Sequence, residues 1–191
     1  MNIIERREKI AVVQANLQKG LAATSEMNKW LEKAEIALIQ EPYSVKGKVA
    51  SLSRRLQVIQ AEAERPLATV VVSNSNIDIL FHKDISNHKC VCCEIIVFGQ
   101  RIIIVSIYRP FGEEMANTYN SIERIMQKFT GQAIIIGGDF NVHSPVWEDP
   151  LQDTEADEFL DFLAVHELHV VNDPASPPTF VRPRGQSWID V

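Results

Sequence analysis

The sequence predicts an α/β fold in which two mixed β-sheets pack together with helices outside. Three observations carry this. Short apolar runs alternate with helix-period segments along the chain. Some consecutive strands are joined as hairpins, which a doubly wound parallel sheet lacks. No repeat, low-complexity tract or linker divides the 191 residues, a length that suits one domain or most of a larger one.

Residues 1–9 are charged and read as an N-terminal extension; the domain spans 10–191. Residues 10–17 form a buried strand. Met27, Trp30, Leu31 and Ala34 recur at helical spacing, so 20–33 contains a helix. Residues 36–40 are a second strand, ended by Glu41-Pro42. The stretch to Pro66 is polar and basic with one apolar patch at 56–59. It reads as a long loop with room for a short helix, and such loops are often functional. Four strand-like runs follow at 67–73, 77–81, 90–98 and 101–108, with Gly99-Gln100 as a tight hairpin turn. Met115, Tyr119, Ile122, Met126 and Phe129 mark one face of a second helix. Residues 133–136 are a buried strand leading into Gly137-Gly138-Asp139. A third helix spans about 154–164 with Phe159, Leu160 and Leu163 inward, and short strands follow at 170–171, 179–181 and 188–191.

Composition narrows the function. A 46% hydrophobic content argues against disorder, and no apolar run approaches the ~20 residues of a membrane helix, so no membrane partner is expected. The charged N-terminus lacks a secretory pattern and no Asn-x-Ser/Thr site occurs, which fits an intracellular protein. Cys90, Cys92 and Cys93 stand too close on one strand for an ordinary disulfide framework. His88, Cys90 and Cys92 share a strand face that could hold a metal, but buried thiols in a reducing compartment are the simpler reading. The net charge of −6 is local: residues 148–161 hold seven acids and no base, and the rest of the chain carries +1. Residues 42–61 hold Lys46, Lys48, Arg54 and Arg55 without an acid, and 174–189 hold Arg182 and Arg184 without one. A locally basic rim is therefore compatible with the acidic total.

Phosphate-loop, dinucleotide, His-Glu-x-x-His and Gly-x-Ser-x-Gly motifs are absent. What remains is a set of polar residues where apolar strands end: Asn16, Glu41, Tyr108, Asp139 and Asn141. Each alone could cap a loop. Together they suit metal-assisted phosphodiester hydrolysis. Glu41 and Asp139 could hold Mg²⁺ and position a water, while an amide and a phenol donate hydrogen bonds to phosphate oxygens.

The segments Gln40-Glu41-Pro42, Ser106-Ile107-Tyr108-Arg109-Pro110, Gly138-Asp139-Phe140-Asn141-Val142-His143-Ser144 and Ser187-Trp188-Ile189-Asp190 resemble, in this order, the endonuclease/exonuclease/phosphatase superfamily. Within it the chain looks like the apurinic-type endonuclease domain of non-LTR retrotransposons. Gln14-Ala15-Asn16-Leu17-Gln18 and the phrase running through Trp147 are especially like arthropod elements that insert at fixed targets. The resemblance implies a four-layered, DNase-like α/β sandwich and a double-stranded DNA substrate, nicked to leave a 3′-hydroxyl. It also implies Mg²⁺, or Mn²⁺ in its place, as cofactor, a reverse transcriptase domain as partner in the parent polyprotein, and nuclear action.

On matching positions it implies that Glu41 binds the metal with Asn16 beside it. Tyr108 contacts the scissile phosphate, Asp139 orients or deprotonates the water, and Asn141 holds the phosphate. Asp190 orients a catalytic His, and Thr179 lies near the cleft. Lys46, Lys48, Arg54, Arg55, Arg182 and Arg184 are expected to contact DNA phosphates, and the acidic helix to face away from DNA. His143 and Trp147 match a family signature and read as mainly structural.

One departure stands out. The family carries a Ser-Asp-His motif beyond the Ile-Asp strand, and this sequence ends at Val191. His82, His88, His166 and His169 stand in no matching context. The expectation is a domain lacking its last strands, with an uncovered sheet edge and little activity, since a positioned acid or base contributes roughly 10²–10⁴-fold. The rival readings are a phosphatase or sphingomyelinase of the same superfamily, and a non-catalytic remnant that folds or binds DNA.

Overall fold

A computed structural model describes residues 9–172 and the backbone of two strands at 180–182 and 185–187. Thr179, Arg184 and Asp190 lie outside the described residues, as does the side chain of Arg182. The chain runs β1 (Val12–Asn16), α1 (Leu21–Trp30), β2 (Ile36–Gln40), β3 (Ser44–Val45), β4 (Lys48–Val49), β5 (Gln57–Ile59), β6 (Ala68–Val72), β7 (Asp78–Phe81), β8 (Cys90–Val97), β9 (Gln100–Tyr108), α2 (Met115–Lys128), β10 (Ala133–Asp139), α3 (Thr154–Val165), β11 (Phe180–Arg182) and β12 (Gly185–Ser187).

One sheet has the order β1-β2-β6-β5, the other β10-β9-β8-β7. Each is mixed. β1 runs parallel to β2 and β10 parallel to β9, while the remaining neighbours are antiparallel. The period-2 alternation of the strands builds the layers. Ile36, Leu38, Val70 and Val72 of the first sheet meet Val91, Cys93, Ile95 and Ile104 of the second in a dry core between the sheets. On the opposite face of the first sheet, Ala37, Ile39 and Val71 pack on Met27 and Leu31 from α1 and the turn after it. Ile103, Val105 and Ile107 turn away from the first sheet to meet Ile122 and Ile125 of α2 and Phe159 of α3. The result is helix, sheet, sheet, helix.

Several details differ from the sequence expectation. The patch at 56–59 is neither loop nor helix: Gln57–Ile59 add to the edge of the first sheet against β6. Ser44–Val45 and Lys48–Val49 form a small hairpin inside the segment read as loop. The β8–β9 turn is Phe98-Gly99, with φ of 51° and 75°, because Val97 pairs with Gln100. That places the tight turn one residue earlier than composition suggests, and both left-handed residues match a type I′ hairpin. Val170-Val171 form no strand. All three cysteines are buried and free. Burial pushes the Cys90 and Cys92 thiols up to about 12, and Cys93 further still, so they stay protonated. Among the described residues no three His, Cys, Asp or Glu side chains gather as a metal cage.

Candidate active site

Parallel pairing sets the site. Asn16 lies opposite Gln40 at the last position of β1 and β2, and Asp139 lies opposite Tyr108 at the last position of β10 and β9. Glu41 and Asn141 follow within two residues. The two sheets are tied together directly beneath by buried polar groups. Gln40 Nε2 donates to Ser106 Oγ at 2.9 Å and to the Gly137 carbonyl at 3.2 Å, and Gln14 Nε2 donates to Gln40 Oε1 at 2.6 Å. Ser106 Oγ donates to the Ile39 carbonyl at 3.0 Å. In a low-dielectric interior such a satisfied network fixes one sheet against the other.

The glycines before Asp139 are a packing requirement. A Cβ on Gly138 would stand 2.5 Å from Ile107 Cγ2 and 2.6 Å from its carbonyl oxygen. One on Gly137 would meet Leu38 Cδ1 at 2.7 Å. Gly138→Ala is expected to lower stability by roughly 1–3 kcal/mol through overpacking, read as a lower urea midpoint at unchanged slope.

Glu41 and Asp139 are both buried, and Asn16 joins them. Its Nδ2 donates to Asp139 Oδ2 and, at 3.4 Å, to Glu41 Oε2. Its Oδ1 accepts from the Gln18 amide at 2.8 Å, which orients the amide group with its NH₂ toward the carboxylates. Asn16 therefore bridges the two acids, which keeps it beside Glu41. Asp139 Oδ1 accepts from the Asn141 amide at 2.9 Å, and Asn141 Nδ2 donates to the Arg109 carbonyl at 2.8 Å. Glu41 and Asn141 have φ of 46° and 50°. Asparagine tolerates left-handed backbone, whereas at Glu41 it costs about 1–3 kcal/mol and persists where neighbours over-determine it. Here the Glu41 amide donates to the Leu67 carbonyl at 2.9 Å, and its carbonyl accepts from Lys19 at 2.7 Å.

Tyr108 is half-buried against this cluster. Burial first, then the Glu41 and Asp139 carboxylates, pushes its phenol well above the ordinary tyrosine range, with Glu41 and Asn141 as hydrogen-bond partners. The phenol therefore remains a proton donor throughout the neutral and mildly alkaline range.

Two groups were not singled out by sequence. Lys19 Nζ lies 2.6 Å from Glu41 Oε1. Arg109 is almost fully buried. Its Nε donates to the Glu113 carbonyl at 2.7 Å, Nη1 to the Phe140 carbonyl at 3.1 Å and to that of Asn141 at 3.4 Å, and Nη2 to Glu155 at 2.7 Å. It clamps the loop that carries Asn141. Its partners lie up to 46 residues away, so only its place beside Tyr108 could have signalled it.

The oxygen-rich donor set fits a hard divalent cation. Glu41 and Asp139 supply carboxylates, and an ammonium group already sits on Glu41. One or two carboxylates with waters is the usual Mg²⁺ pattern. His143 serves structure: its Nδ1 pairs with buried Asp149 at 3.0 Å and its amide donates to Asp153 at 2.9 Å. Trp147 is buried, with Nε1 donating to the Val142 carbonyl at 3.2 Å. The acidic run is thus partly internal, since Asp149, Asp153 and Glu155 each hold a partner on the site loops.

The basic residues separate. Lys46 sits in the two-residue turn of the β3–β4 hairpin and lines a cleft of about 380 Å³ beside Glu41-Pro42, together with Lys19, Tyr43 and Arg65, with Glu64 as its acid. Gly47 beside it has φ 76° and a carbonyl bonded by Gln60 at 2.7 Å, which fastens the hairpin. Lys48 is on β4, exposed, outside the cleft lining. Arg54 and Arg55 are elsewhere. They lie three and two residues before Gln57, which pairs with Val72, and Val72 pairs with Ile36 at the start of β2. Gln57 is thus level with Ile36, about 16 Å along the strand direction from Glu41, so Arg54 and Arg55 do not join Lys46 beside Glu41. Ser53 is moored to Asn28, late in α1, at 2.7 Å.

Comparison with known proteins agrees with this geometry. A family model described as endonuclease-reverse transcriptase matches residues 102–191. The chain is 25% identical over 158 residues to the retrovirus-related Pol polyprotein from type-1 retrotransposable element R1 of Bradysia coprophila. The match covers 77% of this chain and 16% of the polyprotein, so the chain spans about a sixth of that relative. The solved endonuclease domain of TRAS1, a telomere-specific non-LTR retrotransposon, superposes with a TM-score of 0.81 at 28% identity over 95% of this chain and 83% of that one. An endonuclease/exonuclease/phosphatase family protein from Leptotrichia buccalis superposes at 0.53 with 12% identity over 95% and 86%, and shows the shared fold alone. By its fold and its motif order the chain shares the architecture of the endonuclease/exonuclease/phosphatase superfamily, and these matches make it similar to the endonuclease domains of non-LTR retrotransposons.

Proposed function

We propose that this site hydrolyses phosphodiester bonds in double-stranded DNA with Mg²⁺, nicking one strand of a nuclear target to leave a 3′-hydroxyl that primes an associated reverse transcriptase. The observation that carries this reading is the convergence of Asn16, Glu41, Tyr108, Asp139 and Asn141 at one end of the two tied sheets.

Mg²⁺ would be held by Glu41 with Asp139 nearby, and when bound it supplies positive charge to the phosphate and leaving oxygen. The protein's own groups do the rest. Asp139, held by Asn16 and the Asn141 amide, orients a water and takes its proton. Tyr108, kept protonated, donates a hydrogen bond to a phosphate oxygen as charge builds there. Asn141 lies on the same side, fixed through Arg109. Lys19 and Lys46 flank the Glu41 side and can donate to the neighbouring backbone phosphates.

The test is nicking of supercoiled plasmid under a Mg²⁺ titration. Nicking should require Mg²⁺, and Glu41→Gln should raise the Mg²⁺ needed for half-maximal rate by at least about tenfold, the lower end for losing even an outer-shell partner. Nicking unaffected by chelator would remove the proposal. Comparing the 191-residue chain with a longer one carrying a Ser-Asp-His segment measures what that motif adds.

A further inference from the structure

Phe111 is 88% exposed and stands three residues past Tyr108, which limits its distance from that residue to about 11 Å. Single exposed apolar side chains are common and need no explanation by themselves. This one differs in its mount. The Glu113 amide donates to the Pro110 carbonyl at 3.0 Å, closing a four-residue turn with Gly112 at φ 78°. That geometry is a type II turn with the ring at its apex.

The base of the turn is pinned. Arg109 Nε holds the Glu113 carbonyl, the Arg109 amide donates to the Asp139 carbonyl at 2.9 Å, and Lys89 Nζ grips the Glu113 carboxylate at 2.5 and 2.7 Å. Asn141 Nδ2 closes the frame on the Arg109 carbonyl. The ring thus rides on the same frame as the site residues Asp139 and Asn141. The other exposed large aromatic rings among the described residues, Trp30 and Phe98, lie at the far end of the sandwich, before β2 and at the β8–β9 turn. An aromatic ring so exposed, on a turn pinned to the site residues, adds little to the core.

We propose that Phe111 is a wedge that stacks on the bases beside the scissile phosphate and opens a base step there. This rests on the reading of the site as acting on duplex DNA. An aromatic face stacks on any base, and an inserted apolar wedge partly unstacks the step and kinks the duplex. Selection of the cut then follows step deformability, with pyrimidine–purine steps opening most easily.

The test uses the full chain and duplexes with 2-aminopurine stepped along them, in the absence of Mg²⁺. Wild-type protein should raise fluorescence at one or two positions on binding. Phe111→Ala should lose that rise and bind intact duplex about tenfold more weakly. It should bind within about twofold of wild type when a mismatch already opens the step. Phe111→Trp should retain both signals. Because Phe111 is so exposed, all variants should melt with wild type. Equal fluorescence and affinity for Phe111→Ala would overturn the wedge even where wild type nicks DNA. A rise that depends on Phe111 in a protein that never nicks with Mg²⁺ would keep the wedge and overturn the nuclease reading. Failure to bind any duplex would overturn both.

Discussion

Asp139→Ala is expected to lower Mg²⁺-dependent nicking by roughly 10²–10⁴-fold, the contribution of a positioned base, while the chain stays folded. Asp139 is buried at the end of β10 and accepts hydrogen bonds from Asn16 and the Asn141 amide. Its loss leaves those donors short of a partner. It also removes one of two carboxylates that Asn16 bridges, so repulsion with Glu41 falls. The net stability change should be small beside the rate change. Asp139→Asn separates the two roles. It keeps the shape and an acceptor for the Asn141 amide but cannot take a proton. A structural role would be rescued by Asn, whereas the proposed role predicts the same loss of rate in both variants. Single-turnover nicking alongside thermal melting measures both, and an Asn variant at wild-type rate would show that this carboxylate is not the base.

The largest stability effect is expected at Arg109. Arg109→Met should destabilise by about 3–5 kcal/mol, the range for breaking a buried charged network. Its guanidinium is only 2% exposed and serves the carbonyls of Glu113, Phe140 and Asn141 besides Glu155. Methionine fills similar volume but leaves those carbonyls unpaired in the interior. Arg109→Lys should recover little, since an ammonium cannot reproduce the planar fork. The Glu155 partner is 45% exposed on its side chain, so Glu155→Gln should cost under about 1 kcal/mol. Urea midpoints for the three variants order the contributions. A Glu155 variant as unstable as the Arg109 variant would mean that the ion pair, and not the carbonyl clamp, holds the loop.

The layers were legible in the sequence because the strands are long enough to alternate. Residues 102–107 send Ile103, Val105 and Ile107 one way and Ile104 the other, and that period survives in the bare residue order. β5 was not legible. Three residues between polar flanks carry no period, and only the open edge of β6 makes them a strand. The five central site residues were legible for a topological reason: parallel pairing brings strand C-terminal ends to one edge, so polar residues closing apolar runs must meet. Arg54 and Arg55 part from Lys46 because charge clustering along the chain says nothing about sheet register. Arg109 was overlooked because it bonds backbone carbonyls, which have no residue-type signature.

The buried cysteines have a practical consequence. Every thiol of the protein is inside, and each is held protonated. A soluble alkylating reagent therefore meets a silent molecule until it opens. Cys90 and Cys92 line the layer under α2, while Cys93 lines the layer between the sheets. The order in which they are alkylated would report which seam of the sandwich loosens first, so the native chain carries its own clock for local and global opening without any added label.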